Sequence, residues 1–172
     1  MSAQAHHEQA GDMAVGIGII TVSDTRTAET DGGGRLIHEL ATAAGHTPLL
    51  YRIVHDDVGE IQAAVRTAAD TKGCRAILLT GGTGISPRDH TPEALADLLE
   101  QRLDGYGEIF RVLSYEEVGA AALMSRALAG IYRRRLVFAM PGSTAAVRLA
   151  MEKLILPELA HLVWELDRTT SK

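Results

Sequence analysis

The chain has 172 residues, enough for one domain that buries roughly 70% of the surface its unfolded chain exposes. Its composition, 46% hydrophobic and 23% charged, excludes a disordered polyelectrolyte. A net charge of −5 with both signs scattered leaves no basic stripe for a nucleic acid, and no partner of that class is expected. No apolar run approaches the roughly 18 residues of a membrane span. The segment before Met13 has neither the basic start nor the apolar stretch of a secretory signal, so a cytoplasmic protein without a membrane partner is expected. Cys74 is the only cysteine, so an intramolecular disulfide, a dithiol pair and a cysteine-based zinc site are excluded, and no catalytic thiolate is expected.

In chain order, residues 1–13 form a tail and residues 14–168 a single domain. Val15 to Val22 (V-G-I-G-I-I-T-V) predicts a buried strand, and Gly32 to Ala44 the helix returning from it. Pro48 to Val54 predicts a second strand. Val58 to Ala69 follows as a helix with Ile61, Val65 and Ala69 on one face, and Ala76 to Leu79 as a third strand. This alternation is the pattern of a mostly parallel sheet. After a Gly/Thr-rich loop, T-P-E-A-L-A-D-L-L-E predicts a helix to about Gln101, with Thr91 as N-cap, Pro92 at the first helical position and Glu93 in the first turn. Gly105 to Ala129 has helical composition. Arg133, Arg134 and Arg135 are expected in a solvated turn between strands, the second running from Arg135 to Ala139. Ser143 to about Leu166 completes the chain as a helix that Pro157 bends or breaks.

In a parallel sheet, ligands collect at the carboxyl ends of strands, where loops and helix N-termini offer free N–H groups to anions. Three segments fall there: Thr21-Val22-Ser23-Asp24, Thr80 to Asp89, and Pro141-Gly142-Ser143-Thr144. In T-G-G-T-G, the glycines Gly81, Gly82 and Gly84 let backbone amides approach a ligand, and Thr80 and Thr83 add hydroxyls; a plain strand-to-helix turn uses the same residues. The loop is neither a Walker A motif nor a dinucleotide fingerprint. Asp89, just beyond it, is suited to holding Mg²⁺ against a nucleotide's phosphates, and equally to bonding local N–H groups in a turn. Asp56 and Asp57 follow the second strand. Asp57 makes a good N-cap for the next helix, which leaves Asp56 as the ligand-facing acid. Ser143 can either cap the last helix or stand beside an anion at its positive end. His90, beside Asp89, is expected to be a bystander.

The run T-G-G-T-G-I-S-P-R-D-H-T-P-E-A, with G-Y-G-E-I-F-R, M-S-R-A-L-A-G and F-A-M-P-G-S-T-A-A-V-R after it, resembles the MoaB/Mog family of molybdenum cofactor biosynthesis from about Val15 to His161. A-M-P-G-S-T and Y-E-E-V-G are similar to its MoaB branch. The resemblance implies a three-layer α/β/α sandwich around the mostly parallel sheet. It also implies a nucleotidyltransferase that joins Mg²⁺-ATP and molybdopterin into adenylyl-molybdopterin with release of pyrophosphate; a molybdopterin carrier without turnover is the alternative. By motif, Asp89 matches the family's essential aspartate and Asp56 the acid after the second strand. Substrate contacts would fall on Ser23, Asp24, Gly81, Gly82, Thr83, Gly84, Pro141, Gly142 and Ser143. Mg²⁺ is the implied cofactor, with ATP and molybdopterin as small-molecule partners. A homotrimer or homohexamer is also implied, to which the small-residue stretch from Gly119 to Gly130 would contribute close packing.

Overall fold

The computed structural model describes residues 13–168; the tail expected over 1–13 therefore lies almost entirely outside the described residues. One six-stranded sheet runs through the molecule. Its strands are β1 (Gly16–Val22), β2 (Thr47–Val54), β3 (Cys74–Thr80), β4 (Gln101–Arg102), β5 (Leu128–Tyr132) and β6 (Arg135–Met140), in the order β2-β1-β3-β6-β5-β4. β2, β1, β3 and β6 are parallel, while β5 and β4 join through antiparallel pairings. The helices are α1 (Gly32–Ala43), α2 (Val58–Asp70), α3 (Thr91–Ala96), α4 (Asp104–Val118), α5 (Thr144–Ala150) and α6 (Leu156–Arg168).

The sheet divides the core in two because successive side chains of a strand point to opposite faces. From β3, Ala76 and Leu78 enter one cluster with residues of α1, α4, α5 and α6, while Ile77 and Leu79 enter another with α2 and α3. Strands buried on both faces read as continuous apolar runs, which is why β1 and β3 were visible in the sequence. The three-layer α/β/α sandwich with a mostly parallel sheet is thus the observed architecture. Gly18 has a packing role here: a Cβ at this position would stand 3.0 Å from the Cβ of Ala68, so its absence lets α2 lie close on β1.

Four expectations need correction. Thr91 is not an N-cap: His90 holds that position without a side-chain cap bond, and the buried Thr91 hydroxyl donates to the Gly81 carbonyl instead, at 2.9 Å. The helix from Thr91 ends at Ala96 and not near Gln101, because the chain must turn to pair β4 with β5; the Glu100 N–H donates to Ile131 O. Helical composition over Gly105 to Ala129 conceals a change of structure, from α4 through a 3₁₀ stretch (Gly119–Met124) to the strand β5. Finally, the helix after Ser143 neither breaks nor ends at Pro157. A π turn over Met151–Ile155 precedes α6 and accommodates the backbone bond that a proline cannot make.

The β5–β6 hairpin turns on Arg133 and Arg134, with φ of 46° and 59°. Two-residue hairpins need positive φ at both positions and usually place Asn or Gly there. Local bonds hold the arginines in this conformation: the Arg133 N–H donates to Glu100, its guanidinium pairs with Asp70, and it lies 5.0 Å over the Tyr132 ring. The expected solvated turn between two strands is therefore present, with Arg135 as the first residue of β6.

Candidate active site

Along the sheet, β2 lies on one side of β1 and β3 on the other, and the connections leaving β1 and β3 run to helices on opposite faces, so they diverge at the carboxyl ends of these two strands. This divergence opens the crevice in which open α/β sheets bind ligands. A cleft of about 300 Å³ lies there, lined by Ser23 and Arg26 after β1, Thr80 and Gly81 at the end of β3, and Gly142 and Ser143 after β6. Thr21 and Asp31 form its floor.

The glycine loop is shaped by backbone crowding. Gly81 has φ of 101°, and a Cβ on it would meet the Val22 carbonyl oxygen at 2.2 Å. Gly82 has φ of 66°, and its Cβ would fall 2.4 Å from the Thr91 hydroxyl and 2.7 Å from an Asp56 carboxylate oxygen. Gly84 in turn faces Asp89, whose Oδ2 would be 2.7 Å from a Cβ at position 84. Two of the expected glycines thus lie directly against the two expected acids. The loop is stitched to its neighbours: the Gly81 N–H donates to Met140 O, the Thr80 hydroxyl to Pro141 O, and the Thr91 N–H to Gly82 O. Thr83 is 2% exposed and does not line the cleft. Its hydroxyl is not presented to a ligand in this conformation, contrary to the expectation.

Asp56 is the more enclosed acid, with its side chain 9% exposed. Its Oδ1 accepts the His90 N–H at 2.8 Å. Burial raises the pKa of its carboxyl group, the neighbouring Asp89 charge raises it further, and the His90 N–H acts in the opposite direction. Asp57 caps α2 as expected, with Oδ1 accepting the Glu60 N–H at 3.0 Å. Asp89 bonds within its own turn, accepting the Ser86 N–H at 3.0 Å, which is the local arrangement open to a turn aspartate. Asp24 accepts the Asp56 N–H and pairs with Arg88, and these two partners, in that order, lower its pKa. Ser143 caps α5 through the Ala146 N–H. His90 is more than a bystander: its ring Nδ1 lies 2.9 Å from the Asp56 carbonyl oxygen, so ring and backbone both hold Asp56 in place. Cys74 is fully buried and its thiol pKa is raised by that burial, in keeping with the absence of any role for it.

Three features were missed in the sequence. Asp31 is 2% exposed and caps α1 by accepting the Gly34 N–H at 2.9 Å; it also accepts the hydroxyls of Thr21 at 2.6 Å and of Tyr51. These bonds tie β1, β2 and α1 together beneath the cleft, and Tyr51 is pushed up to about 12 by its burial and by Asp31. The run of three glycines after an acid, D-G-G-G, was the available signal for this cap. A second cleft, of about 260 Å³, adjoins the first at Ser143 and runs between Gly84, Pro141 and an apolar wall that includes Phe110, Val118, Met124 and Leu149. Arg126 is the third feature; its guanidinium reaches the loop from the entrance to β5.

Fold and clefts define an α/β protein with a crevice at the switch point of a parallel sheet, the place where such sheets bind ligands. Comparison with known proteins narrows this class. The family described as a probable molybdopterin binding domain matches residues 18–161, and the chain belongs to it. The molybdenum cofactor biosynthesis protein B of Bacillus anthracis is 50% identical over 169 residues, 98% of this chain and 99% of that protein. A crystal structure of a molybdenum cofactor biosynthesis protein B is similar with a TM-score of 0.89 and 50% identity, over 92% of this chain and 99% of that one. The tungsten cofactor synthesizing protein MoaB from Pyrococcus furiosus follows at a TM-score of 0.80 and 38% identity, over 88% and 96%. The MoaB/Mog resemblance is thus borne out.

Proposed function

We propose that the protein works in molybdenum cofactor biosynthesis as a molybdopterin adenylyltransferase. The terminal phosphate of molybdopterin attacks the α-phosphorus of ATP, the bond from that phosphorus to the β-phosphate oxygen breaks, and pyrophosphate leaves. The observation that carries this reading is the placement of Asp56 and Asp89 against Gly82 and Gly84 of the glycine loop, whose Gly81 and Gly84 line the two adjoining clefts. Such a reaction needs positioning and charge neutralisation more than a strong nucleophile. The amides of Gly82 and Gly84 and the N-terminus of α5 at Ser143 would supply donors for phosphate oxygens.

Mg²⁺ fits this donor set. Among the described residues no group of three or more His, Cys, Asp or Glu side chains is arranged to hold a metal, and Mg²⁺ in nucleotide sites commonly takes only one or two carboxylates together with the phosphates. Asp89 is close enough to Asp56 for its charge to raise the Asp56 pKa, so a cation between nucleotide and protein relieves a repulsion already present. Mg²⁺ there would neutralise charge developing on the phosphates. Asp89 would hold it, and Asp56, fixed by His90, would be the second carboxylate facing the cation or its bound water.

The acting form would be an oligomer of this chain, a trimer or a pair of trimers. Val112, Tyr115, Val118, Leu123 and Met124 on α4 and the 3₁₀ stretch are 49–84% exposed, a concentration of apolar surface that suits burial against other copies. Only part of the Gly119–Gly130 stretch can contribute, since Ala127 to Gly130 are buried, the last three of them within β5.

Incubation with molybdopterin and Mg²⁺-ATP tests the reaction. One adenylyl-molybdopterin and one pyrophosphate are expected per ATP consumed. Tight binding of molybdopterin with no adenylylated product would make the chain a carrier in the same pathway and reject the enzyme.

A further inference from the structure

Arg126 precedes β5 and lies 37 residues along the chain from Asp89, yet it makes three hydrogen bonds to the loop that carries Asp89. Its Nε donates to the Gly84 carbonyl at 2.7 Å and its Nη2 to the Asp89 carbonyl at 2.9 Å. Its Nη1 pairs with the Glu93 carboxylate, and its backbone N–H donates to Thr83 O at 2.8 Å. Gly84 and Asp89 are the two ends of an exposed excursion, Ile85-Ser86-Pro87-Arg88, which brings the Asp89 carboxylate back against Gly84. Ile85 is 66% exposed, so no hydrophobic contact anchors the tip. The bonds within the excursion are those between Ser86 and Asp89 and from the Arg88 N–H to the Ser86 hydroxyl, and the Arg88–Asp24 pair is solvent-exposed and weak.

We propose that Arg126 is the positioning residue of this site: by holding both ends of the excursion, it fixes where Asp89 presents its carboxylate. The inference rests on the reading of Asp89 as an acting group, and Arg126 itself touches no substrate. A guanidinium is suited to this task because its donors diverge in a fixed plane and can hold three acceptors at once. A lysine ammonium on a flexible stem would reach one of them. The Glu93 pair is the dispensable arm. That carboxylate is 51% exposed, and a pair at such a position contributes little.

The test compares wild type with Arg126→Lys, Arg126→Gln and Glu93→Gln by melting, by amide hydrogen exchange over residues 84–90 without ligand, and by kinetics with molybdopterin and Mg²⁺-ATP. Glu93→Gln should match wild type throughout. Both Arg126 variants should stay folded and exchange the loop amides about tenfold faster. Their kcat should fall about a hundredfold with KM for ATP nearly unchanged, the pattern of a misplaced group and not of lost binding. Unchanged loop exchange in a folded Arg126→Lys protein overturns the clamp, whatever reaction the enzyme catalyses. Faster exchange with normal kcat overturns the positioning role. Faster exchange in a protein whose wild type makes no adenylyl-molybdopterin upholds the clamp and rejects the reaction proposed above. Should substitution at 126 unfold the chain, wild type carries the test: the loop amides and the Arg126 amide should open together, with one denaturant dependence, and separate opening overturns the proposal.

Discussion

The two halves of the sheet are built for different tasks. In the parallel half, β1, β3 and β6 bury their apolar runs, the edge strand β2 stays partly exposed, and all four direct their carboxyl ends, with Asp24, Asp56, the glycine loop and Ser143, to one edge. The antiparallel half, β5 and β4 with α4 and the 3₁₀ stretch beside it, contributes Arg126 and the apolar wall of the second cleft to that edge, and otherwise presents exposed apolar residues. On the proposed reading, chemistry falls where strand ends and helix starts converge, and association would fall where a helix face is left uncovered. By this division, damage to the strand-end acids of the first half should end turnover without ending assembly, and charges placed on the exposed apolar face of the second half should do the reverse.

The sharpest way to break it is Asp89→Ala. Its carboxylate bonds only within its own turn, so melting should shift by no more than a few degrees, while turnover should fall by about a hundredfold or more if it holds the charge-neutralising cation. Near-normal turnover would remove Asp89 from the site. The counterpart in the other half is the double substitution Val112→Glu with Leu123→Glu, at positions 64% and 84% exposed. Charges there cost the subunit little but should block an apolar interface, so sedimentation at micromolar protein should show wild type as a trimer or hexamer and the variant as a monomer. A monomeric or dimeric wild type would refute the proposed assembly.

The same division explains what the sequence disclosed. β1 and β3 are buried on both faces and flanked by turn residues, so their runs were legible, as were the loop and Asp57 as a cap. Leu128 to Tyr132 was not recognised as a strand because its identity depends on pairing with β6 and β4, although the arginine turn that follows it was expected. Thr91 looked like a cap on local grounds and was taken instead by a bond to Gly81, ten residues earlier. Arg126 lay in a motif whose composition gave no hint of the 42 residues that separate it from Gly84. Contacts distant along the chain were the illegible part, in the fold and in the site alike.

A smaller effect sharpens the comparison inside the first half. Asp56 has a folded-state pKa above its ordinary value, chiefly through burial. Such a group favours the fold fully below its unfolded pKa, about 3.9, and that contribution is lost as pH rises through the raised folded value. At neutral pH the ionised carboxylate therefore opposes folding. Asp56→Asn keeps an acceptor for the His90 N–H and removes the charge, so it should melt higher than wild type at pH 7, with the gain shrinking on acidification toward pH 4. Turnover should fall about tenfold or more in the same protein. A melting difference independent of pH would show that burial of this charge is not what the site tolerates for function.

The smallest expected effect concerns the neighbouring acid and decides which of the two faces the ligand. Asp57 has an extended backbone, φ −129° and ψ 132°, and its carboxylate accepts the Glu60 N–H, satisfying one of the donors left free at the start of α2. Replacing it with Ala removes that bond and should cost about 1 kcal/mol, which lowers the melting temperature of a chain this size by about 2–4 °C. Nothing else at the cleft depends on it, because Asp56 is held separately by His90. Turnover measured well below the melting transition should therefore equal that of wild type. If Asp57→Ala instead loses turnover while Asp56→Asn keeps it, with both proteins folded, the ligand-facing acid is Asp57, and the cap and the catalytic group are the same residue.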